Sequence, residues 1–431
     1  WLRRCLDLAL GGLGRVAPNP LVGAVLVRPR KCIVSNYLHD CHGRVDDFEN
    51  WQQHFEILGE GYHVAYGQAH AEARAFADAL RRGYGPEDFL QAVLYCNLEP
   101  CSFRTTAKHQ PPCCEEIIRR QVGAVVFANH DPNPAVDGTG VLRRAGLAVR
   151  SGDFALPSAR INQIFFRHMG AAASPSSRRP WVSLKFAQSL DGCIATKSGH
   201  SRWISGPAAR AMVQALRASH GAICSGAGVG RATLEADDPG LLLRPEFLQQ
   251  LSGCDSLDKK TRQHLQSQQN WRIVWDSHSR SAHLPLQFYC GPDQERSIVV
   301  SNQVANNSDI ARITVGPSLY SAEGLREALT ALAQAPYHMQ HLLIEGGAKL
   351  AGSFLANACV DEVYCFISQR FIGKGLHCVD ELQPGRETVL LPQTLQLRHS
   401  SSMPITERLY GDWDGPDEVL CHGYLRDIVV P

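Results

Sequence analysis

Apolar residues set the period of the chain from its first turn. Trp1, Leu2, Cys5, Leu6, Leu8, Ala9 and Leu10 recur at helical spacing and Gly11-Gly12 closes the run, which predicts a packed helix. Short β-rich runs at Gly23–Val27, Ala92–Cys96 and Ala124–Ala128 then alternate with helical stretches at Glu72–Arg82, Cys114–Arg120 and Gly138–Arg144. That order predicts a layered α/β domain. The pattern stops at Ala171–Pro180, where small, polar and basic residues are joined by two prolines. It resumes with Trp181–Phe186, a helix over Pro207–Ser219, strands at Gly221–Cys224, Arg272–Trp275 and Ser297–Val300, a helix over Ala322–Ala333, and strands at His341–Ile344 and Asp361–Ile367. The chain therefore reads as an α/β domain over 1–170, a linker over 171–180 and a second α/β sandwich over 181–431. Two stretches depart from the alternation, Arg30–Leu58 with its acidic, histidine and aromatic residues and the Gln-rich Pro245–Asn270. Both are expected to be surface insertions, where extra length has a small entropic cost.

Composition narrows the function classes. Of 431 residues, 44% are hydrophobic and 20% charged, enough apolar surface for folded domains. Lys+Arg 43 against Asp+Glu 42 leaves +1, without the basic excess that drives binding to a phosphate backbone. The longest apolar runs, such as Ala124–Ala128, fall far short of the roughly 20 residues that span a bilayer. Fifteen cysteines are scattered along the chain and no secretory leader is visible, so a reducing cytoplasm is expected.

The chemistry begins at Gln68-Ala69-His70-Ala71-Glu72, which opens a helical stretch; Glu99-Pro100-Cys101 follows a strand and Pro111-Pro112-Cys113-Cys114 starts the next helix. One imidazole and two thiolates are three ligands, which leaves a tetrahedral zinc an open position and so describes a catalytic site. Glu72 stands where a carboxylate can move a proton from water to a leaving amine. Thiolates at helix starts gain from the dipole. Each residue alone would more often be structural, His70 a cap and the cysteines small buried apolar groups; their joint position at a strand end and two helix starts reverses that reading. His-x-Glu with Pro-Cys and a later Cys is the signature of zinc nucleobase deaminases. The usual Cys-x-x-Cys spacing is absent. His39, Asp40, Cys41 and His42 match no zinc spacing, so no second metal is expected.

The flanking series is Pro18-Asn19-Pro20-Leu21-Val22-Gly23, Gly59-Glu60-Gly61-Tyr62-His63, His70-Ala71-Glu72, Leu98-Glu99-Pro100-Cys101-Ser102, Pro111-Pro112-Cys113 and Asp131-Pro132-Asn133-Pro134. It closely resembles the deaminase half of the bifunctional riboflavin-biosynthesis deaminase–reductase family, and the match spans most of residues 1–165. The resemblance implies a cytidine-deaminase-like three-layer fold, zinc on His70, Cys101 and Cys113 rather than Cys114, Glu72 as proton carrier, and Asn19 against the pyrimidine. Phe103 stands where the family usually has His, and Arg104–Gln110 form a longer loop carrying His109, read as solvated.

A second constellation follows the seam. Leu184-Lys185-Phe186-Ala187-Gln188-Ser189-Leu190-Asp191-Gly192 ends a strand in a turn, Ser201-Arg202-Trp203-Ile204 leads into a helix bearing Arg210 and Arg217, and Thr233-Leu234-Glu235-Ala236-Asp237-Asp238-Pro239 precedes Leu241 and Arg244. Ile344-Glu345-Gly346-Gly347-Ala348-Lys349-Leu350 reads as a strand running through Gly-Gly into a helix, a geometry that offers backbone N–H groups to phosphate, although such a pair is more often only a turn. Together these segments look like the family's reductase half, similar to dihydrofolate reductase in fold. The resemblance implies NADPH at Ala187, Trp203, Thr233, Asp237 and the Gly347–Ser353 turn (Gly347, Ala348, Lys349, Leu350, Ala351, Gly352, Ser353), and substrate at Lys185, Ser201, Arg217, Leu241, Arg244 and Glu345. Arginine suits a ribose phosphate because its fork matches the oxygens. Ser225–Gly230 is read as a lengthened junction between strand and turn.

The expected activity is zinc-dependent deamination of 2,5-diamino-6-ribosylamino-4(3H)-pyrimidinone 5′-phosphate followed by NADPH-dependent reduction of the ribosyl group to ribityl. The expected partners are that small molecule and further copies of the chain, with neither nucleic acid nor membrane. Two rivals are a tRNA-editing type of deaminase fused to a binding domain, disfavoured by the near-neutral charge, and a relative active only in its reductase half.

Overall fold

The computed structural model describes residues 1–29, 55–103, 111–170, 178–201, 204–218, 224–244, 259, 263, 269–290, 293–304, 310–378, 394–398 and 418–425. Two compact units emerge, Trp1–Gly170 and Ala171–Asp427. No helix among the described residues is long and apolar enough to cross a membrane.

In the first unit, strands Gly23–Pro29 (β1), Phe55–Tyr62 (β2), Val93–Leu98 (β3), Ala124–Asn129 (β4) and Ala148–Ser151 (β5) form one sheet in the order β2-β1-β3-β4-β5. β1 is antiparallel to β2 and β3, while β3, β4 and β5 run parallel. Helices cover both faces, which is why β1 reads as an unbroken apolar run. Ala24 and Leu26 turn to the core shared with the helices Ala71–Arg81 (α2) and Cys113–Arg120 (α3); Val25 and Val27 turn to Cys5 on the opening helix Leu2–Ala9 (α1). Helices Gly138–Arg144 (α4), Ala155–Ile161 (α5) and Gln163–Gly170 (α6) complete the unit, and helix, sheet and helix make the three layers that the resemblance implies. Two glycines set the depth of α2. A Cβ on Gly59 would lie 2.2 Å from the Ala75 carbonyl oxygen, and one on Gly61 would lie 2.5 Å from that of Ala71. Only a bare backbone lets the helix seat so low on β2.

Part of the first expected insertion is core. Residues 30–54 lie outside the described residues, but Phe55–Leu58 belong to β2 and Leu58 is fully buried. Leu58 shares a core with Ala75, Phe76 and Ala79 of α2, and that packing supplies the burial, which composition alone does not reveal.

The second unit is built on a sheet ordered β11-β10-β9-β8-β12-β6-β13-β16-β15. Its strands are Trp181–Gln188 (β6), Ser225–Gly230 (β8), Trp271–Trp275 (β9), Ser297–Ser301 (β10), Ala311–Thr314 (β11), His341–Ile344 (β12), Glu362–Ser368 (β13), Thr394–Arg398 (β15) and Glu418–Tyr424 (β16). All neighbours are parallel except at β13–β16 and β16–β15. The short strands Cys193–Thr196 (β7) and Gly375–His377 (β14) pair separately. Helix Pro207–Ala218 (α7) packs against Leu343 and Phe366, whereas Ala322–Ala333 (α9) and Ala348–Ala356 (α10) enclose Val182, Leu184, Trp275 and Leu342 on another face.

Two expectations need correction here. The strand expected at Gly221–Cys224, of which 221–223 lie outside the described residues, runs over Ser225–Gly230, the stretch read as a junction. Its glycines hide the apolar period because their neighbours fill the space: a Cβ on Gly226 would lie 2.8 Å from Met339 Sδ, and one on Gly228 3.1 Å from Trp275 Nε1. The polar stretch Pro245–Asn270 also ends inside the protein. Asn270 is fully buried, donating to the Leu241 and Trp271 carbonyls and accepting from the Leu243 amide, so a residue read as surface knots two segments together.

Candidate functional site

In the first unit, the parallel strands deliver their loops to the helix starts. His70 is the N-cap of α2, Glu72 is its second residue, Cys101 follows β3, and Cys113 opens α3. His70 Nδ1 lies 3.5 Å from Cys101 Sγ and 3.4 Å from Cys113 Sγ, and the three ligand atoms lie within 4.8 Å of one another. The Cys113 amide donates to Cys101 Sγ at 3.3 Å, so the start of the helix already stabilises that sulfur. Cys114 turns away, its thiol donating to the Pro100 carbonyl at 3.3 Å.

Glu72 is buried. Burial pushes its carboxyl above the ordinary carboxylate range and Cys101 adds to this, while His70 and a hydrogen bond with Cys113 oppose it. A carboxyl so placed holds a proton more readily than a surface glutamate does.

Asn19 is brought to the same region by a loop whose backbone is clamped on both sides. Asn97 and Asn162 each donate to the Leu21 carbonyl and accept from the Gly23 and Leu21 amides, respectively. The Asn19 amide nitrogen lies 3.1 Å from His63 Nε2, and His63 Nδ1 lies 3.2 Å from the Ala69 carbonyl oxygen. Because a carbonyl can only accept, Nδ1 carries the proton and Nε2 accepts from Asn19. Burial, then the nearby His70, push the His63 imidazole down to about 4, consistent with this neutral form.

In the second unit, Arg217 at the end of α7 and Glu345 after β12 form a partly buried two-point pair, Nε to Oε1 at 2.5 Å and Nη2 to Oε2 at 2.7 Å, and Nη1 donates to the Leu242 carbonyl at 2.9 Å. Three segments expected around the substrate thus converge. Lys185 on β6 places its ammonium 5.6 Å over the Phe366 ring. Leu241 (φ 57°) is buried and its side chain belongs to the core, while Arg244 is exposed. Gly346 (φ 153°) and Gly347 (φ 93°) turn between β12 and α10, and a Cβ on Gly347 would lie 3.2 Å from Thr233 Oγ1. The turn is therefore a cradle that any side chain would fill.

A model of the RibD C-terminal domain matches residues 180–409, and one of the cytidine and deoxycytidylate deaminase zinc-binding region matches residues 1–129. The chain belongs to the RibD family. The riboflavin biosynthesis protein RibD of Actinobacillus pleuropneumoniae is 32% identical over 379 residues, covering 86% of this chain and 84% of the relative. That of Escherichia coli (strain K12) is 31% identical over 381 residues, 86% and 88% of the two chains. A diaminohydroxyphosphoribosylaminopyrimidine deaminase/5-amino-6-(5-phosphoribosylamino)uracil reductase from Thermotoga maritima superposes with a TM-score of 0.69 at 25% identity, over 98% of this chain and 97% of the other. Acinetobacter baumannii RibD gives 0.68 at 27% identity, over 98% of both. A family member of this kind is a bifunctional enzyme of riboflavin biosynthesis, a zinc-dependent deaminase joined to an NADPH-dependent reductase.

Both cofactors fit residues that are present. Zinc bonds of about 2.3 Å to sulfur and 2.0 Å to nitrogen at tetrahedral angles demand N···S separations of roughly 3.5 Å, matching those at His70. The bare Gly346-Gly347 turn fits a dinucleotide phosphate. The segment expected to line NADPH is mostly helix, not turn: Ala348–Ser353 lie in α10, with Leu350 and Ala351 in the core and Ser353 Oγ donating to the Lys349 carbonyl. Gly352 is buried as well. Ala187 lies on β6, Thr233 and Asp237 on the helix Arg231–Asp237 (α8), and Ser201 ahead of α7. Trp203, the loop 104–110 with His109, and the His39–His42 cluster lie outside the described residues.

Two supporting residues carry no role in the sequence reading. His63 sits within a quoted motif, and its signal was its place seven residues before His70 on the way from β2 to α2. Glu99 is buried and accepts from Thr139 N and Oγ1 at 2.7 Å, His130 Nδ1 at 2.9 Å and Asp131 N at 3.2 Å. It ties the loop leading to Cys101 onto the helix Gly138–Arg144 (α4), and no local pattern announces this.

Proposed function

We propose that the first unit deaminates the diaminopyrimidinone ribosyl phosphate and that the second reduces the ribosyl group of the product to ribityl. The convergence of His70, Cys101 and Cys113 beside Glu72 carries this reading. His70 Nδ1 and the two sulfurs would hold the metal, and a zinc ion bound there supplies Lewis acidity for hydrolysis. Glu72 takes the proton from water and passes it to the departing amine. Asn19 binds the pyrimidine; its NH2 is committed to His63, so its amide oxygen is left to accept from a ring N–H or amine.

In the second unit, NADPH supplies the hydride. Gly346-Gly347, the start of α10, Ala187, Thr233 and Asp237 bind the cofactor in this reading, with Trp203 included on the resemblance alone. Arg217, Arg244, Lys185, Ser201, the Leu241 backbone and Glu345 hold the sugar phosphate. Glu345 fixes the orientation of Arg217 before substrate arrives, leaving one N–H on each of Nη1 and Nη2 for phosphate.

The test is incubation of the chain with 2,5-diamino-6-ribosylamino-4(3H)-pyrimidinone 5′-phosphate, with and without NADPH. Ammonia release without NADPH, and NADPH oxidation only after deamination, are the expected results. Absence of ammonia release removes the first half of the reading. The same reading includes a cytoplasmic location and self-association, checked by cell fractionation and sedimentation velocity.

A further inference from the structure

Strand order places β12 between β6 and β8. In the proposed reading Lys185 meets the substrate and Ala187 the cofactor, and both stand on β6, which puts the reacting end of the cofactor on the β6 side of the Gly346-Gly347 turn. A dinucleotide with its pyrophosphate at that turn therefore runs its adenosine the other way, over the carboxyl ends of β8 and β9. Two cations stand there. Arg231 directly follows Gly230 at the end of β8, and the Gly230 amide donates to the Gly346 carbonyl at 3.4 Å. Lys349, in the first turn of α10, places its ammonium 5.3 Å over the Tyr320 ring, whose hydroxyl donates to the Trp275 carbonyl at the end of β9. Tyr320 and Asp276 both act electrostatically on Arg231. Asp276 itself is turned into its own loop, accepting from the Ser281 amide and hydroxyl.

The state of the Arg231 guanidinium decides the matter. Nη1 alone meets Glu235, at 2.7 and 2.6 Å to its two oxygens. Nε and Nη2 have no protein partner among the described residues, and these are the two parallel donors that a phosphate takes in fork geometry. Glu235, one turn along α8, holds the group without occupying its fork.

We propose that Arg231, with Lys349 beside it, binds the ribose 2′-phosphate of NADPH and so selects it over NADH. This rests on the NADPH reading of the reductase unit. Calorimetric titration of the full chain with 2′,5′-ADP and with 5′-AMP tests it. The unaltered protein favours 2′,5′-ADP, and rising salt erodes that preference. Arg231→Ala weakens 2′,5′-ADP by about 10- to 100-fold, as expected for charged hydrogen bonds, and leaves 5′-AMP unchanged. Arg231→Lys, which keeps the charge but loses the fork, shows a smaller selective loss and serves if the alanine variant does not fold. Glu235→Gln retains the preference. Equal weakening of both ligands, or none of either, in the Arg231 variants overturns the assignment. An unaltered protein that binds neither NADPH nor NADH sinks the cofactor reading itself, and this proposal with it.

Discussion

Glu72 shows how a single side chain acquires a function from its surroundings. As the second residue of α2 it would be an ordinary dipole-favouring acid on an exposed helix; buried beside Cys101 and Cys113, it stands where the proposed proton transfer needs it. Glu72→Gln keeps the shape and removes the exchangeable proton. Deamination should fall by about 10²- to 10⁴-fold, the usual scale for general acid–base groups, while zinc content by elemental analysis and NADPH oxidation on the deaminated substrate stay unchanged. Asp191 illustrates the opposite case. Its carboxylate accepts from the Ser189 hydroxyl and from the Gly373 and Ile372 amides, which hold it at about 2. A folded-state value below the ordinary 3.8 means that this stabilisation is present above about pH 4 and disappears as pH falls toward about 2. The melting temperature of Asp191→Asn should therefore lie furthest below that of the unaltered protein near pH 6, with the gap closing as the buffer is taken below pH 4.

At the scale of elements, glycine decides where the site-bearing helices sit. A Cβ on Gly138 would lie 2.2 Å from the Pro100 carbonyl oxygen, against the backbone one residue before Cys101. Gly138→Ala should push α4 away from that loop, lowering stability by about 1–3 kcal/mol and reducing zinc retention together. Thermal melting and metal analysis of the same sample check this; full zinc content with unchanged melting would separate α4 from the Cys101 loop. Glycine also explains where the linear pattern misleads. In β8 the missing side chains are replaced by Met339, just ahead of β12, and Trp275 on β9, so a fully buried strand reads as a lengthened junction. Helices with their own apolar stripe, such as α9, are legible from sequence because three- and four-residue spacing is a local property.

For the whole molecule, two units with separate cores predict two separable ligand responses. Ligands that bind only the native state raise its apparent stability by mass action. Removing zinc with a chelator should lower a melting transition that NADPH does not raise, and NADPH should raise one that the chelator does not lower. Differential scanning calorimetry with each ligand in turn reads both; a single transition answering to both would show that the units unfold together.

The strand–helix alternation, the seam and the identities of His70, Glu72, Cys101 and Cys113 are set by the linear order of residues, because period and helix-start chemistry act over a few positions. The convergence of those side chains on one point, the service of His63 and Glu99 behind them, and the burial of Leu58 and Asn270 come from contacts between distant segments. Arg217 makes the division plain. Its charge and its helix are written locally, but its partner Glu345 is 128 residues away, and only a parallel sheet that sets α7 beside the end of β12 brings the two together.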